Sequence, residues 1–499
     1  MKFIPPGSQE FIAAVRSSIG APLDLVFETL SEGHITVAYL SSITDANQLQ
    51  DNILGPLGTI IGEQPLRNNR HLEMILQAVR ERGRTVRTNF EDIIDDLMAG
   101  RTLIHILGHT EAYSFETSKR AKRLPTDANV ERTVRGVRIT FVEDFDDNIS
   151  MIRSWVQDPS LRIEGMRIGR RSRTRVAVMY LEDVADPGLV EEVRRRLGRI
   201  DIDSVLDSGY IEQLITDNRW SIFPLTQATE RPDKVAAAIF EGRVVIDVSG
   251  SQNVIIVPVT INDLYQSPED YYWGFWFGSF LRFLRILGNN IAVALPGLYI
   301  ALLGVNPEVL PVQFALTISG SRMGVALPLV IELLLIEITL EIFREASLRL
   351  PQTVSQTLGV TTGIVLGIAA VGAGIVSNAT LVVTVITAIA SYSGPDYGIS
   401  LTWRILKYFL IFAAASFGLI GLVAAGLAIL CFAAAQNSFG VGFLSPWTPI
   451  RGVELLDTIL RRPLWFPRRA GTYHPTDKIR LGWQKKGAPD PGHGKREDE

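Results

Sequence analysis

Hydrophobic and polar positions divide this 499-residue chain into two unlike halves. Up to about residue 275 the apolar positions come in short bursts, some alternating and some at helical spacing; from about Phe280 to Ala435 they are nearly continuous. In the first half, Leu23–Thr29 and His34–Leu40 read as strands, Asn89–Ala99 has the period of an amphipathic helix, and Arg101–Leu107 reads as a strand. The pattern predicts a flexible leader (1–22), then an α/β subdomain (23–125), with a polar, aperiodic loop over about 112–133. A second α/β subdomain (126–275) carries strand patterns at Val137–Phe141, Thr174–Leu181, Val244–Val248 and Val254–Val259. Its helical patterns are Asp147–Val156, Pro187–Ile200, Ile202–Ile215 and Arg231–Gly242, the last with Pro232 in its first turn and a terminal glycine.

A helix needs roughly 20 apolar residues to cross a bilayer. Candidates in the second half are Phe283–Leu303, Val325–Phe343, Gly359–Val376, the short Leu381–Tyr392, and the long Ile405–Ala434, tilted or broken near Gly418–Gly421. The fold class is therefore an α/β N-terminal region of two subdomains followed by an α-helical transmembrane bundle (276–440, four to five hydrophobic segments) and a basic tail (441–499). Tyr271, Tyr272, Trp273 and Trp276 precede the first span as an interfacial aromatic belt would. Met1 to Ser18 holds no apolar stretch of signal-peptide length, so the first span acts as the insertion signal and the N-terminal region stays cytoplasmic. Arg451, Arg461, Arg462, Arg468 and Arg469 put the tail on the same side. Two ends on one side demand an even number of crossings, in conflict with five segments. Mean hydropathy is +0.19; the excess lies in the second half. A net charge of −4 provides no field that favours nucleic acid, and the single Cys431 excludes disulfides within the chain.

Glu332, Glu337 and Glu341 interrupt the second apolar segment, and the last two share a helix face. Ionisable groups at membrane depth normally face a bundle interior or a water path. They mark either an ion pathway or an interfacial helix whose acids pair with Arg344 and Arg349. Gly359, Gly363 and Gly367 repeat at spacing four, continued by Ala370 and Gly374, a small-residue face suited to close helix packing. Thr361, Val365, Ile368 and Gly372 lie opposite. With several copies around an axis this second face lines a narrow pore, and Val365 or Ile368 gates it by dewetting; tight packing without a pore fits the same pattern. His105 and His109 have i,i+4 spacing but sit in a strand-and-turn pattern with no third ligand, so no metal and no cofactor is expected. Gly169–Thr174 reads as a solvated turn rather than an anion grip, and Asp201 and Asp203 as helix punctuation. No P-loop, GxGxxG or GxSxG occurs, and the chain is not expected to be an enzyme.

From about Leu23 to Arg468 the chain resembles the A subunits of spore germinant receptors, the GerA family of endospore-forming bacteria. The resemblance rests on many strings in order: VRGVR (134–138), NISMIR (148–153), GMRIGRRSRTRVAVMY (165–180), IDIDSVLDSGYIEQLI (200–215), TERPDK ending at Lys234 and QSPEDYY (266–272). In the apolar half they are LPGLY (295–299), REASLRLP (344–351), AVGAG (370–374), SFG (438–440) and RPLW (462–465). It implies a multi-pass protein of the spore inner membrane with its N-terminal part on the core side. It also implies a homopentameric ring forming a nutrient-gated channel for monovalent cations, a transporter-like B subunit that binds the nutrient, and a C subunit that is a lipoprotein. Gly372 stands where the family commonly has a polar or acidic residue, the string after Gly136 departs from the family's usual run, and Leu348 replaces an isoleucine. The alternative to a channel is a non-conducting scaffold that relays signal within the receptor complex.

Overall fold

The computed structural model describes residues 3–31, 33–58, 85–119, 131, 133–351, 367–463 and 469–480. They form two units: Met1–Arg219 with Thr226–Pro258 and Leu464–Glu499, and Trp220–Leu225 with Val259–Pro463.

The first unit holds two five-stranded antiparallel sheets. One contains β1 (Leu25–Leu30), β2 (Ile35–Leu40), β3 (Thr85–Arg87), β4 (Thr102–Ile106) and β5 (Ala112–Phe115), in the order β1-β2-β4-β5-β3. Alternation places Ala38 and Leu40 on one face, under helices α1 (Ser8–Ile19) and α2 (Phe90–Met98), and Ile35 and Val37 on the other. The expected leader is thus mostly α1, because Phe11, Val15 and Ile19 make an apolar stripe that caps the sheet. The start of the expected polar loop is β5, whose side chains are all buried.

The second sheet contains β6 (Leu161–Ile168), β7 (Thr174–Leu181), β8 (Gln227–Thr229), β9 (Val244–Val248) and β10 (Val254–Val257), in the order β6-β7-β9-β10-β8. Helices α3 (Phe145–Trp155) and α6 (Pro232–Phe240) pack into its core; α4 (Pro187–Gly198) and α5 (Ser208–Ile215) complete the subdomain. Two expectations are corrected. Val137–Phe141 joins no ladder; it runs alongside the domain and plugs Phe141 into the core, with its N–H on the Glu230 carbonyl. The helix expected over Ile202–Ile215 begins only at Ser208, where the Asp207 side chain accepts the Gly209 N–H as an N-cap.

A buried ion pair joins the two subdomains: Arg153 of α3 donates bidentately to Asp24, just before β1, at 2.6 and 2.7 Å, and Ser42 donates to the same carboxylate. A second buried pair, Arg231–Asp233, also clasps the Glu131 carbonyl and the Thr133 hydroxyl. Arg170 and Arg171 pair with Asp201 and Asp203, so these aspartates hold the 169–174 turn rather than ending helices. His105 is a core residue stacked on Phe11, its ring nitrogen on the His109 carbonyl. Residues 469–480 return to this unit, with Thr476 on the Val184 carbonyl and Arg469 on that of Phe240.

The second unit is helical: α7 (Phe275–Ile300, extended by a π-turn to Val305), α8 (Val312–Ser321), α9 (Leu329–Ser347), a helical stretch at 367–372, α10 (Asn378–Ser391) and α11 (Tyr397–Ala434). Phe275–Val305 and Tyr397–Ala434 are long and apolar enough to cross a membrane. The second of these is not one rod. Gly418 has φ 63° and ψ −141°, and the Phe223 ring lies 5.8 Å from Trp403 and 6.1 Å from Phe432. A straight helix would hold Trp403 and Phe432 roughly 43 Å apart. The element is therefore a helical hairpin turning at Gly418. Asn306, at the end of α7, caps the returning arm by accepting the Leu419 N–H at 3.0 Å. A Cβ on Gly418 would sit 2.0 Å from that Asn306 oxygen, so glycine is required by both backbone and space.

Candidate functional site

The acids of α9 sit inside this bundle. An apolar helix with Glu332, Glu337 and Glu341 turned into a bundle folds only if each charge meets a partner, because isolated charges in low dielectric are expensive. Glu337 accepts from Lys407 of α11 at 2.5 Å, both side chains buried. Glu341 accepts from Arg404, one turn before Lys407, and from Arg344 at 3.2 Å. Arg344 continues to the Tyr392 and Ser391 hydroxyls at the end of α10. Glu332, fully buried, takes the Ser377 N–H at 2.6 Å, at the start of α10. Arg322 stands 3.4 Å from its other oxygen, within ion-pair reach but without a hydrogen bond.

Helix α10 supplies the third wall. Ser377, Thr380, Thr384 and Thr387 recur at helical spacing and are all buried. Thr384 and Thr387 donate to their own helix carbonyls, and Thr380 shares a 3.0 Å hydrogen bond with Tyr299 of α7. The result is a polar seam along the bundle, from Glu332 through Glu337–Lys407 to Glu341–Arg404–Arg344. One oxygen each of Glu332 and Glu337 lacks a hydrogen-bond partner. Such a seam can hold protons, water or small ions between fixed charges of both signs.

A second charged cluster lies where α7 begins. Buried Asp270 takes hydrogen bonds from Arg282 and Arg285, and Arg282 reaches Asp457. Arg461 donates to the Trp273 and Tyr271 carbonyls, and the Tyr271 ring lies under Arg282 and Arg461. Tyr271 is thus part of this cluster, whereas Trp276 is exposed as an interfacial residue would be.

Of the residues singled out in the Gly359–Val376 segment, Gly359, Thr361, Gly363 and Val365 lie outside the described residues. The helix seen at 367–372 stops at Gly372, short of the expected Val376. Gly374 takes a left-handed conformation, and the Ile375 and Gly374 N–H groups close back on the Ala370 and Val371 carbonyls, a Schellman cap. Gly374 is therefore a helix stop, in close approach to the Gly324 carbonyl, rather than a rung of the ladder. A Cβ on Gly367 would touch Leu381 at 3.6 Å; Ala370 is half-buried; Gly372 has open space around it, and Ile368 is 71 % exposed. Of the basic partners expected for the acids, Arg344 reaches Glu341, while Arg349 pairs with exposed Glu345. The bases missed in the sequence are Arg322, Arg404 and Lys407. Arg404 and Lys407, three apart in an otherwise apolar run, are the signal that complements Glu337 and Glu341, four apart.

Two sheets of α/β type joined in sequence to an apolar helical bundle with a charged seam define a membrane-associated protein with a large polar head. The family described as Bacillus/Clostridium GerA spore germination protein matches residues 13–472, and the chain belongs to that family. It is 33% identical over 493 residues to spore germination protein KA of Bacillus subtilis (strain 168), covering 97% of this chain and 90% of that protein. It is 36% identical over 462 residues to spore germination protein GerLA of Bacillus cereus, covering 91% and 93%. Among solved structures, the N-terminal domain of the A subunit of the Bacillus megaterium spore germinant receptor GerK3 aligns with 30% identity and a TM-score of 0.40, covering 51% of this chain and 95% of that one.

Proposed function

We propose that this chain is the A subunit of a nutrient germinant receptor in the spore inner membrane, and that its copies assemble as a ring, a homopentamer, around a nutrient-gated path for monovalent cations. A transporter-like B subunit would bind the nutrient, and a C-subunit lipoprotein would complete the complex. Nutrient binding to the partner would favour the open ring by differential affinity. The observation that carries this reading is the Glu337–Lys407 pair, buried inside an apolar bundle. Groups of this kind at membrane depth are rare outside ion paths and coupling sites.

The topology is consistent with it. Residues on both sides of the helical unit belong to the first unit, so an even number of passes is required. With α7 and the first arm of α11 running toward the Asn306–Gly418 end, α9, α10 and the second arm of α11 run back. The helical stretch at 367–372 runs outward again ahead of α10, with Gly367 beside Leu381 and Gly374 beside Gly324. Exposed Ile368 and uncovered Gly372 leave a face there for neighbouring copies. The matching of each acid with a base favours a second reading, a non-conducting scaffold in which the seam is a staple.

Ion release separates the two. Spores carrying Val365→Ala should leak monovalent cations or germinate without nutrient, because a smaller side chain widens an apolar constriction. Spores that stay dormant and respond to nutrient as before would refute the pore assignment of that face.

A further inference from the structure

The chain joins the helical unit once before α7 begins, in a short excursion. Trp220–Leu225 belongs to that unit, while the residues on either side of it belong to the head. Its own atoms fix it there. The Ile222 carbonyl accepts the Thr402 hydroxyl at 2.8 Å, and the Leu225 carbonyl accepts that of Ser438 at 2.7 Å. The buried Phe223 ring lies against Trp403, Phe432 and Phe443, so it closes the mouth of the α11 hairpin. A segment held this firmly still leaves its largest side chain outside: Trp220 is 92 % exposed.

Among the described residues, the exposed tryptophans of the helical unit are Trp220, Trp276 and Trp447, and Ile450 is exposed beside the last. They lie at one end of the bundle, opposite the Asn306–Gly418 turn. Trp276 is in the first turn of α7. Trp220 closely precedes Phe223, which touches the first arm of α11 at Trp403 and the second at Phe432. Trp447 gives its indole N–H to Asn262, ahead of α7. Arg219 stands directly before Trp220, and Arg451 directly after Ile450. An indole is apolar over its rings and polar at one N–H, and a neighbouring guanidinium reaches phosphate or water while its stem stays in apolar surroundings. That combination suits the headgroup layer of a bilayer, where tryptophan concentrates. The two helices long and apolar enough to cross a membrane, Phe275–Val305 and Tyr397–Ala434, begin at this same end, so the bilayer surface is continuous with these side chains.

We propose that Trp220, with Trp447 and Ile450, inserts into the headgroup layer of the phospholipid bilayer, so that Trp220–Leu225 is a membrane anchor rather than a plain linker. The proposal rests on the bundle lying in a membrane, and on neither the ring nor conduction. The anchor fixes the point where the head's chain meets the bilayer, and through Phe223 it ties that point to both arms of α11.

The test uses the full-length protein in vesicles of three parts phosphatidylcholine to one part phosphatidylglycerol. The photoreactive amino acid p-benzoylphenylalanine replaces Trp220, Ile450, Phe409 or Trp155, one at a time, and the fragments are weighed after illumination. Phe409, exposed midway along the first arm of α11, reports whether the bundle is in the bilayer; Trp155, exposed on the head, is the control for chance contact. Phospholipid adducts are expected at positions 220, 450 and 409, with the adduct lost at 155. Adducts at 409 without any at 220 would overturn the anchor and leave the bundle in its membrane. So would a product at 220 with the mass of a second copy of the chain, or adducts at 155 as abundant as at 220. No adduct at 409 would remove the membrane placement itself, and the anchor with it.

Discussion

At the scale of single residues, the protein buries charge in two ways. Asp24–Arg153 and Glu337–Lys407 are matched pairs; Asp247, on β9, faces no base in a direct pair, takes the Asn148 amide at 3.3 Å on one oxygen, and leaves its other oxygen without a hydrogen bond. Burial raises the Asp247 carboxyl from its ordinary 3.8 to about 7, against the opposing pull of Asn148. The unfolded chain therefore releases this proton near pH 4, while the folded chain keeps it to about pH 7. Its contribution to stability is full below pH 4, falls by roughly 1.4 kcal/mol per pH unit up to about 7, and then levels off. Asp247→Asn should flatten that part of the pH–stability curve and stabilise the protein most at pH 8; a wild-type-like slope between pH 5 and 7 in denaturation of the variant would contradict this. At the matched pair the prediction is different. Lys407→Met should destabilise the protein by about 3–5 kcal/mol, because it strands Glu337, whereas Lys407→Met with Glu337→Leu should recover most of the loss. Thermal midpoints of the two variants read this directly, and a double variant no better than the single would show that the pair does not act as a unit.

At the scale of elements, the hairpin at Gly418 is the least conventional feature. Gly418→Ala should cost about 1–3 kcal/mol for the positive-φ, glycine-only backbone alone, and more because the new methyl displaces Asn306 from its cap. Paired cysteines at Trp403 and Phe432, which both touch Phe223, should be joined by a bifunctional thiol reagent of about 10 Å reach if α11 doubles back, and a straight α11, with roughly 43 Å between them, would leave them unjoined. The break was legible as glycines in an overlong apolar run, since no other residue type there tolerates the turn. Strands β7 and β9 were legible because both faces are covered and their apolar positions run together. Strand β6 was not: charges fill its outer positions, and Gly165 interrupts it where the Leu23 side chain comes close. Helix α1 was overlooked although Phe11, Val15 and Ile19 carry its period, because a polar start reads as a loose end. The acids of α9 stood out against their apolar run, but their partners did not. Glu337 and Lys407 are joined by the fold across distant sequence, which no local pattern records.

At the scale of the whole molecule, a polar head of two sheets and a bundle with a charged seam belong to one chain of the GerA family. The proposed conduction path lies between copies, so it depends on assembly as the seam within each copy does not. The most direct measurement is the subunit number of the full-length protein in its own membrane, by brief cross-linking and sizing. A discrete ladder ending at five is predicted. A monomer or dimer under conditions gentle enough to keep the receptor intact would contradict the ring and leave the seam as a staple of a non-conducting scaffold.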